Sequence, residues 1–282
     1  MGIESKNIGA CVNLAKKNIV ITGAASGIGE ALASHFVKLK ANVFLADIDQ
    51  PKLSLVAETL RCSYNVCDVA NEEDVFALVN HAETELGQID LFCSNAGILF
   101  KGEAVPLALD EEYWMKSWCV NVMSHVYAAR HVLPQMIQRQ SGYFLQIISA
   151  AALLSQIGAP AYSATKSAAL SFAESLAISY GHEGIKVSAA CPQYVATPML
   201  GFEDTKLPRD AKNLISADEA ALQIIDGVLQ EKFLILTDSG LIKFFERKHK
   251  DYDQWIIGMQ RLQNKIVHAK GEINLDNMYK FI

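Results

Sequence analysis

Paired cysteines, a basic excess and a long apolar run are all missing from this 282-residue chain. The six cysteines (Cys11, Cys62, Cys67, Cys93, Cys119 and Cys191) include no CxxC pair. Cys62 and Cys67 lie closest in sequence, with no His/Cys pair following at zinc-site spacing. That spacing favours reduced thiols in and around a core over a disulfide framework or a metal site. Lys and Arg number 25 against 31 Asp and Glu, a net charge of −6. A nucleic-acid partner is therefore not expected, since such binders carry a broad basic footprint. No apolar run approaches the roughly 18 residues of a membrane-spanning helix. The opening "MGIESKNIGACVN" lacks the apolar stretch of a signal peptide, and Lys6 stands where a myristoylation signal requires Ser or Thr. The expectation is a soluble, cytoplasmic protein without metal or firm membrane association.

Hydrophobic residues make up 51% of the chain and charged residues 20%, enough apolar content for a sizeable core. Short β-branched runs alternate with longer helical patterns. Strands are expected at 18–22, 42–46, 62–66, 89–94, 142–149, 185–191 and 233–237. Long helices are expected over about 110–138 and 160–181. Near-continuous apolar strands separated by helices indicate a parallel sheet buried on both faces. The fold class is thus α/β, a doubly wound sandwich of seven parallel strands with helices on both faces. Without a repeat or a Pro/Gly linker, the chain reads as one domain over 1–282. Its core spans about 16–240, and 241–282 form a helical, mixed-charge extension.

"ITGAASGIGEALA" places Gly23, Gly27 and Gly29 in the turn after the first strand. Glycine lets backbone approach a ligand closely, and the next helix offers unpaired N–H groups to a diphosphate. A tight strand-to-helix connection is the bland alternative. The second strand ends at Asp47. A carboxylate there accepts hydrogen bonds from a ribose 2′-hydroxyl and repels a 2′-phosphate. Neither Ser26 nor "ADIDQ" supplies a basic partner for such a phosphate, which favours NAD over NADP.

"YSATK" sets Tyr162 and Lys166 four residues apart, on one face of a helix. Alone, the stretch is also compatible with ordinary helix filler. A free phenol has a pKa of about 10 and is a poor base at neutral pH. A nearby ammonium, together with the positive nicotinamide of NAD⁺, lowers that value, as alcohol oxidation requires. Ser149 ends the fifth strand and offers a hydroxyl to a substrate oxygen, or simply caps a turn.

Together TGxxxGxG (22–29), Asn95-Ala96-Gly97 after the fourth strand, Ser149 thirteen residues before Tyr162, and YxxxK resemble the short-chain dehydrogenase/reductase family. The match runs from about 16 to 200, and its motifs stand in the family's order. It implies a Rossmann-type fold, NAD as cofactor, and Tyr162, Lys166, Ser149 and Asn121 as the catalytic set. In that set Asn121 holds a water linking Lys166 to solvent, although an amide there also suits a simple helix bend. The resemblance implies a dinucleotide held by Gly23, Ser26, Gly27, Ile28 and Gly29, by Asp47 and Ile48, and by Asp68 and Val69 at the adenine. Asn95, Ala96 and Gly97, Tyr162 and Lys166, then Pro192, Val195 and Thr197 complete that set. Gln193 departs from the family, which usually has Gly there, and is expected to face the substrate.

Ser149, Leu154, Tyr162, Gln193 and Met199 are the expected substrate contacts. "AALLSQIGAP" adds Leu153 and Ile157, and the segment after the sixth strand adds Tyr194, Val195, Leu200 and Phe202. No Arg or Lys cluster precedes Lys206, so a small hydrophobic secondary alcohol or its ketone is the expected substrate. The family's habit implies a homodimer or homotetramer through the helices at 110–138 and 160–181. An idle NAD-sensing or scaffolding protein and an NAD-using epimerase or dehydratase remain as rival readings. The tail beyond the last strand is expected to cover the pocket, pack on a neighbouring subunit or touch a membrane.

Overall fold

The computed structural model describes residues 12–100, 110–202, 207, 213–238, 240–271 and 273–281. Lys6, Cys11 and Lys206, which figure in the sequence reading, lie outside the described residues. Seven parallel strands form the main sheet: β1 (Asn18–Thr22), β2 (Asn42–Asp47), β3 (Ser63–Val66), β4 (Leu91–Ser94), β5 (Gly142–Ile147), β6 (Ile185–Cys191) and β9 (Leu234–Leu236). Their order is β3-β2-β1-β4-β5-β6-β9. The order reverses between β1 and β4, where Ile19 pairs with Leu91 and Ile21 with Cys93. A ligand crevice is expected beyond the strand C-termini at such a reversal.

The strands read as unbroken apolar runs because alternate residues feed two cores. Val20, Phe44, Phe92 and Phe144 enter one core. Ile19, Ile21, Leu45, Leu91 and Leu145 enter the other. The helices that cover these faces are α1 (Gly27–Lys38), α2 (Gln50–Leu60), α3 (Glu72–Leu86), α4 (Glu111–Trp118), α5 (Ser124–Gln138), α6 (Ala150–Leu154), α7 (Pro160–Tyr180) and α8 (Ala217–Leu229). Local chemistry sets their starts. Asn71 accepts the Glu73 N–H at the head of α3, where Glu72, Glu73 and Asp74 also suit the helix dipole. Ser216 and Glu219 form a reciprocal capping box on α8.

Three features differ from the sequence reading. The helix expected over 110–138 is interrupted by a π-turn at Cys119–Met123, which carries Asn121. A two-stranded ladder, β7 (Val195–Ala196) with β8 (Ile215–Ser216), escapes prediction because two-residue strands have no periodicity. The short helix α6 follows Ser149 directly, its first turn capped by that side chain.

The C-terminal extension forms α9 (Leu241–Lys250), α10 (Tyr252–Lys270) and a 3-10 turn at Leu275–Lys280. Leu241 is buried in a sheet-face core, and Lys248 Nζ donates to Leu153 O (2.6 Å). Ile266, Leu275, Met278 and Tyr279 pack with Tyr194, Ala196 and Leu214 in a separate cluster, against which Tyr162 is partly buried. Leu275 of this tail also lines the cavity described below. Among the described residues, no helix is long and apolar enough to cross a membrane.

Candidate active site

A cavity of about 540 Å³ opens beyond the C-terminal ends of β1, β2, β4, β5 and β6. Its floor begins with the turn after β1, where Gly23 (φ +65°) and Gly27 (φ +58°) occupy the left-handed region. A Cβ at Gly23 would stand 2.8 Å from Ala96 Cα, so the two loops approach as only glycine allows. Gly29 does not line the cavity. A Cβ there would lie 2.1 Å from Gly23 O, so its role is to seat α1 against the turn. Asn95 Nδ2 donates to Thr22 O and Gly23 O (both 2.9 Å), tying the β4 loop to the glycine turn.

Ser26, at the head of α1, makes no side-chain cap hydrogen bond. The first N–H groups of α1 are therefore left to face the cavity, as an anion site requires. Asp47 lines the same cavity at the end of β2. It accepts from Ala25 N (3.0 Å, Oδ2) and Asp49 N (3.0 Å, Oδ1), so it also braces the turn beside it. Ile48, Asp68 and Val69 follow along the wall. Thr197 approaches from the far side, 3.1 Å from where a Gly27 Cβ would stand. With Pro192 and Val195, it completes the dinucleotide set expected from sequence. Uncapped N–H groups, a glycine cradle and a carboxylate at the β2 terminus fit a nicotinamide dinucleotide.

At the inner end Ser149, Tyr162 and Lys166 meet. Ser149 Oγ accepts the Ala151 N–H (3.1 Å), and its hydroxyl stands beside the Tyr162 phenol. Ser149 thus caps α6 and also lines the cavity. Burial raises the Tyr162 phenol above its ordinary value, and the Ser149 hydroxyl partly offsets this. The lowering expected from sequence needs the positive nicotinamide as well as the ammonium, and in the free protein burial is the larger influence on this phenol.

Lys166 is 2% exposed. Its Nζ donates to Ile147 O (3.0 Å) and stands 5.7 Å from the Tyr162 ring centroid. Burial lowers its pKa from 10.5 to about 8. Gly97 gives this lysine room, since a Cβ there would be 3.3 Å from both Lys166 Nζ and Asn121 Oδ1.

Asn121 is fully buried and does not reach the cavity wall. Its Oδ1 accepts from Ile98 N (2.9 Å), and its Nδ2 donates to Ile98 O (3.0 Å) and Thr165 Oγ1 (3.1 Å). With both amide protons committed, its side chain clamps the β4 loop to α7 and has no donor left for a water.

Gln193, Tyr194, Met199 and Leu200 line the cavity as expected. Leu153, Ile157 and Phe202 do not. Leu153 is buried in a sheet-face core, while Ile157 and Phe202 pack against the C-terminal cluster. Leu154 instead lines a second chamber. Sequence reading missed Gln156, Lys116 and Leu275 on the cavity wall. Gln156 Oε1 accepts from Tyr194 Oη (3.0 Å), a pairing across 38 residues that no local pattern announces. The described cysteines are all free. Burial pushes the thiols of Cys67 and Cys191 up to about 12, far from reactive.

A glycine turn at the order reversal, with Ser, Tyr and Lys converging beside it, defines a dinucleotide-dependent oxidoreductase class. The sequence model described as short chain dehydrogenase matches residues 17–207. The chain belongs to the short-chain dehydrogenase/reductase family. It is 34% identical over 192 residues to Oxidoreductase UcpA of Escherichia coli K12, covering 66% of this chain and 72% of that one. It is 32% identical over 232 residues to mouse Epidermal retinol dehydrogenase 2, covering 79% and 74%. A short-chain dehydrogenase/reductase from Burkholderia phymatum, crystallised in complex with NAD, superposes with a TM-score of 0.78. That structure shares 26% identity, with 86% of this chain and 96% of the other covered.

Proposed function

We propose that this protein interconverts a largely hydrophobic secondary alcohol and its ketone, with NAD as the redox partner. The observation that carries the reading is the convergence of Ser149, Tyr162 and Lys166 in one cavity with the glycine turn and Asp47. A bound nicotinamide dinucleotide supplies the hydride acceptor for oxidation and the donor for reduction. The chain's own residues do the rest. Ser149 orients the substrate oxygen through its hydroxyl. Tyr162 takes the hydroxyl proton as a phenolate in oxidation and gives one back as a phenol in reduction. The Lys166 ammonium supports the phenolate from beside the ring. Asp47 favours NAD because a 2′-phosphate would meet its carboxylate on the cavity wall.

The apolar side chains of Met199, Leu200 and Leu275 support a hydrophobic substrate. The mouse relative is by name a dehydrogenase of retinol, itself an alcohol. Exposed Tyr113, Met115 and Trp118 on α4 and Ile178 on α7 support a homodimer or homotetramer through these helices.

The test is NADH formation, followed by its near-ultraviolet absorbance, across a panel of lipophilic secondary alcohols. Tyr162→Phe is expected to abolish turnover while NADH binding stays within a few-fold, because the ring remains and the proton carrier is gone. Near-normal turnover in that variant refutes the mechanism. Product formation with no net NADH change would favour the epimerase reading, and tight NAD binding with no chemistry would favour the sensor.

A further inference from the structure

We propose that the reacting alcohol or ketone is an amphipath, with an anionic group remote from the carbinol carbon held by Arg247, Lys250 and Arg261. This rests on the hydride-transfer reading above. The three cations stand on a second chamber, of about 690 Å³, which shares Ser149, Gln156, Gln193 and Tyr194 with the first cavity. The chamber therefore adjoins the first cavity at Ser149. Its body is apolar, built from Leu154, Phe244, Trp255, Met259, Leu262 and Phe281.

Arg247, Lys250 and Arg261 are exposed where the chamber meets solvent. Among the described residues their side chains make no hydrogen bond or ion pair. Lys248, between two of them, behaves otherwise, being buried and bonded to Leu153 O. The chamber wall also contains a carboxylate, Asp251, which accepts the Gln254 N–H (3.0 Å) as the cap of α10. The rim stays net positive after that offset.

Gly258 adds an independent observation. It lies inside α10 on the chamber wall, and a Cβ built there meets nothing within 4 Å. Glycine destabilises a helix interior relative to alanine. The position is exposed, so a side chain added there would enter open space at the chamber wall. An apolar chamber that adjoins Ser149 and carries three unpaired cations on its wall matches an apolar body ending in a carboxylate, sulfate or phosphate. A wholly apolar molecule leaves the cations unused, and a sugar phosphate gains nothing from the walls.

The site is tested by calorimetric titration of decanoate and of 1-decanol into the full-length protein. The triple variant R247Q/K250Q/R261Q is titrated alongside, its changes confined to exposed positions. Decanoate is expected to bind the wild type about tenfold tighter than the alcohol, a preference that weakens with added salt. The triple variant should bring the two within about twofold while NADH binding is unchanged. G258L should weaken both ligands by filling the chamber.

Equal binding of the two ligands by the wild type, or a preference that survives in the triple variant, overturns the proposal. Capture by phosphatidylserine vesicles without decanoate selectivity also overturns it, marking the rim as a membrane-docking surface. Turnover separates this failure from that of the parent reading. Hydroxy acids with the hydroxyl on the penultimate carbon, at graded lengths, should outrun their methyl esters. If acids and esters turn over alike and decanoate is not selected, hydride transfer stands and the anion site falls. If decanoate is selected and no alcohol is oxidised, the anion site stands and the hydride reading falls.

Discussion

Lys166→Met should make the free protein more stable at neutral pH while destroying its activity. Lys166 is 2% exposed, and its ammonium donates to a single carbonyl, Ile147 O, with no carboxylate partner among the described residues. Burial lowers its pKa from 10.5 to about 8. A base whose folded pKa is depressed costs stability wherever the unfolded chain would hold the proton more tightly. That cost is complete below the folded value and fades as pH rises towards the unfolded one. Taken over the full shift, it is about 3 kcal/mol near pH 7 and falls to about 1 kcal/mol by about pH 9.5.

Methionine removes the charge and keeps most of the length. It leaves Ile147 O without its donor, a loss of about 1.5 kcal/mol. The net gain near neutrality is then about 1–2 kcal/mol, or a rise of about 2–6 °C in Tm. Thermal melts of the cofactor-free wild type and variant at both pH values measure this directly. A variant no more stable than wild type near neutrality, or an advantage that persists unchanged to high pH, refutes the reasoning. Loss of turnover beside a gain in stability would identify the buried ammonium as strain retained for function.

Asp47→Ser should erode a preference for NAD over NADP that we expect to be at least about a hundredfold, as read from kcat/KM with each cofactor. Because Asp47 also accepts from Ala25 N and Asp49 N, the same change should lower Tm slightly, and a shift of cofactor preference towards NADP in the wild type would contradict its placement. Truncation after Asn264 removes Ile266, Leu275, Met278 and Tyr279 from their cluster. It should leave NADH binding intact and raise KM for bulky substrates more than for small ones; equal changes would rule out a covering role for the tail.

The parallel sheet was legible because its strands are apolar on both faces and its turns carry glycine at fixed spacing. Tyr162, Lys166, Ser149 and the glycine turn were legible for a related reason: each lies at a strand end or on a helix face that local pattern defines. What escaped depends on contacts between distant segments. The π-turn at Asn121 looks like uninterrupted helix in sequence, and the amide's saturation by Ile98 and Thr165 appears only once three segments meet. The basic rim was hidden in the same way. Arg247, Lys250 and Arg261 read as solvated charges of a mixed-charge tail, and only the fold of α9 and α10 over Ser149 turns them into a wall. Leu153 was misassigned because an apolar residue beside a catalytic serine can face the sheet as readily as the pocket.

The tail's place over Tyr162 gives the site an order of assembly. Residues placed on the dinucleotide wall all precede 200, while the cluster that closes the substrate side draws on 262–281. At about 5–20 residues per second, a ribosome takes seconds longer to deliver the second half than the first. During that interval an emerging chain carries the glycine turn, Asp47, Ser149, Tyr162 and Lys166 but not the apolar residues that pack against Tyr162. The apolar packing against Tyr162 is therefore made late in synthesis, and a nick near residue 262 would take it away.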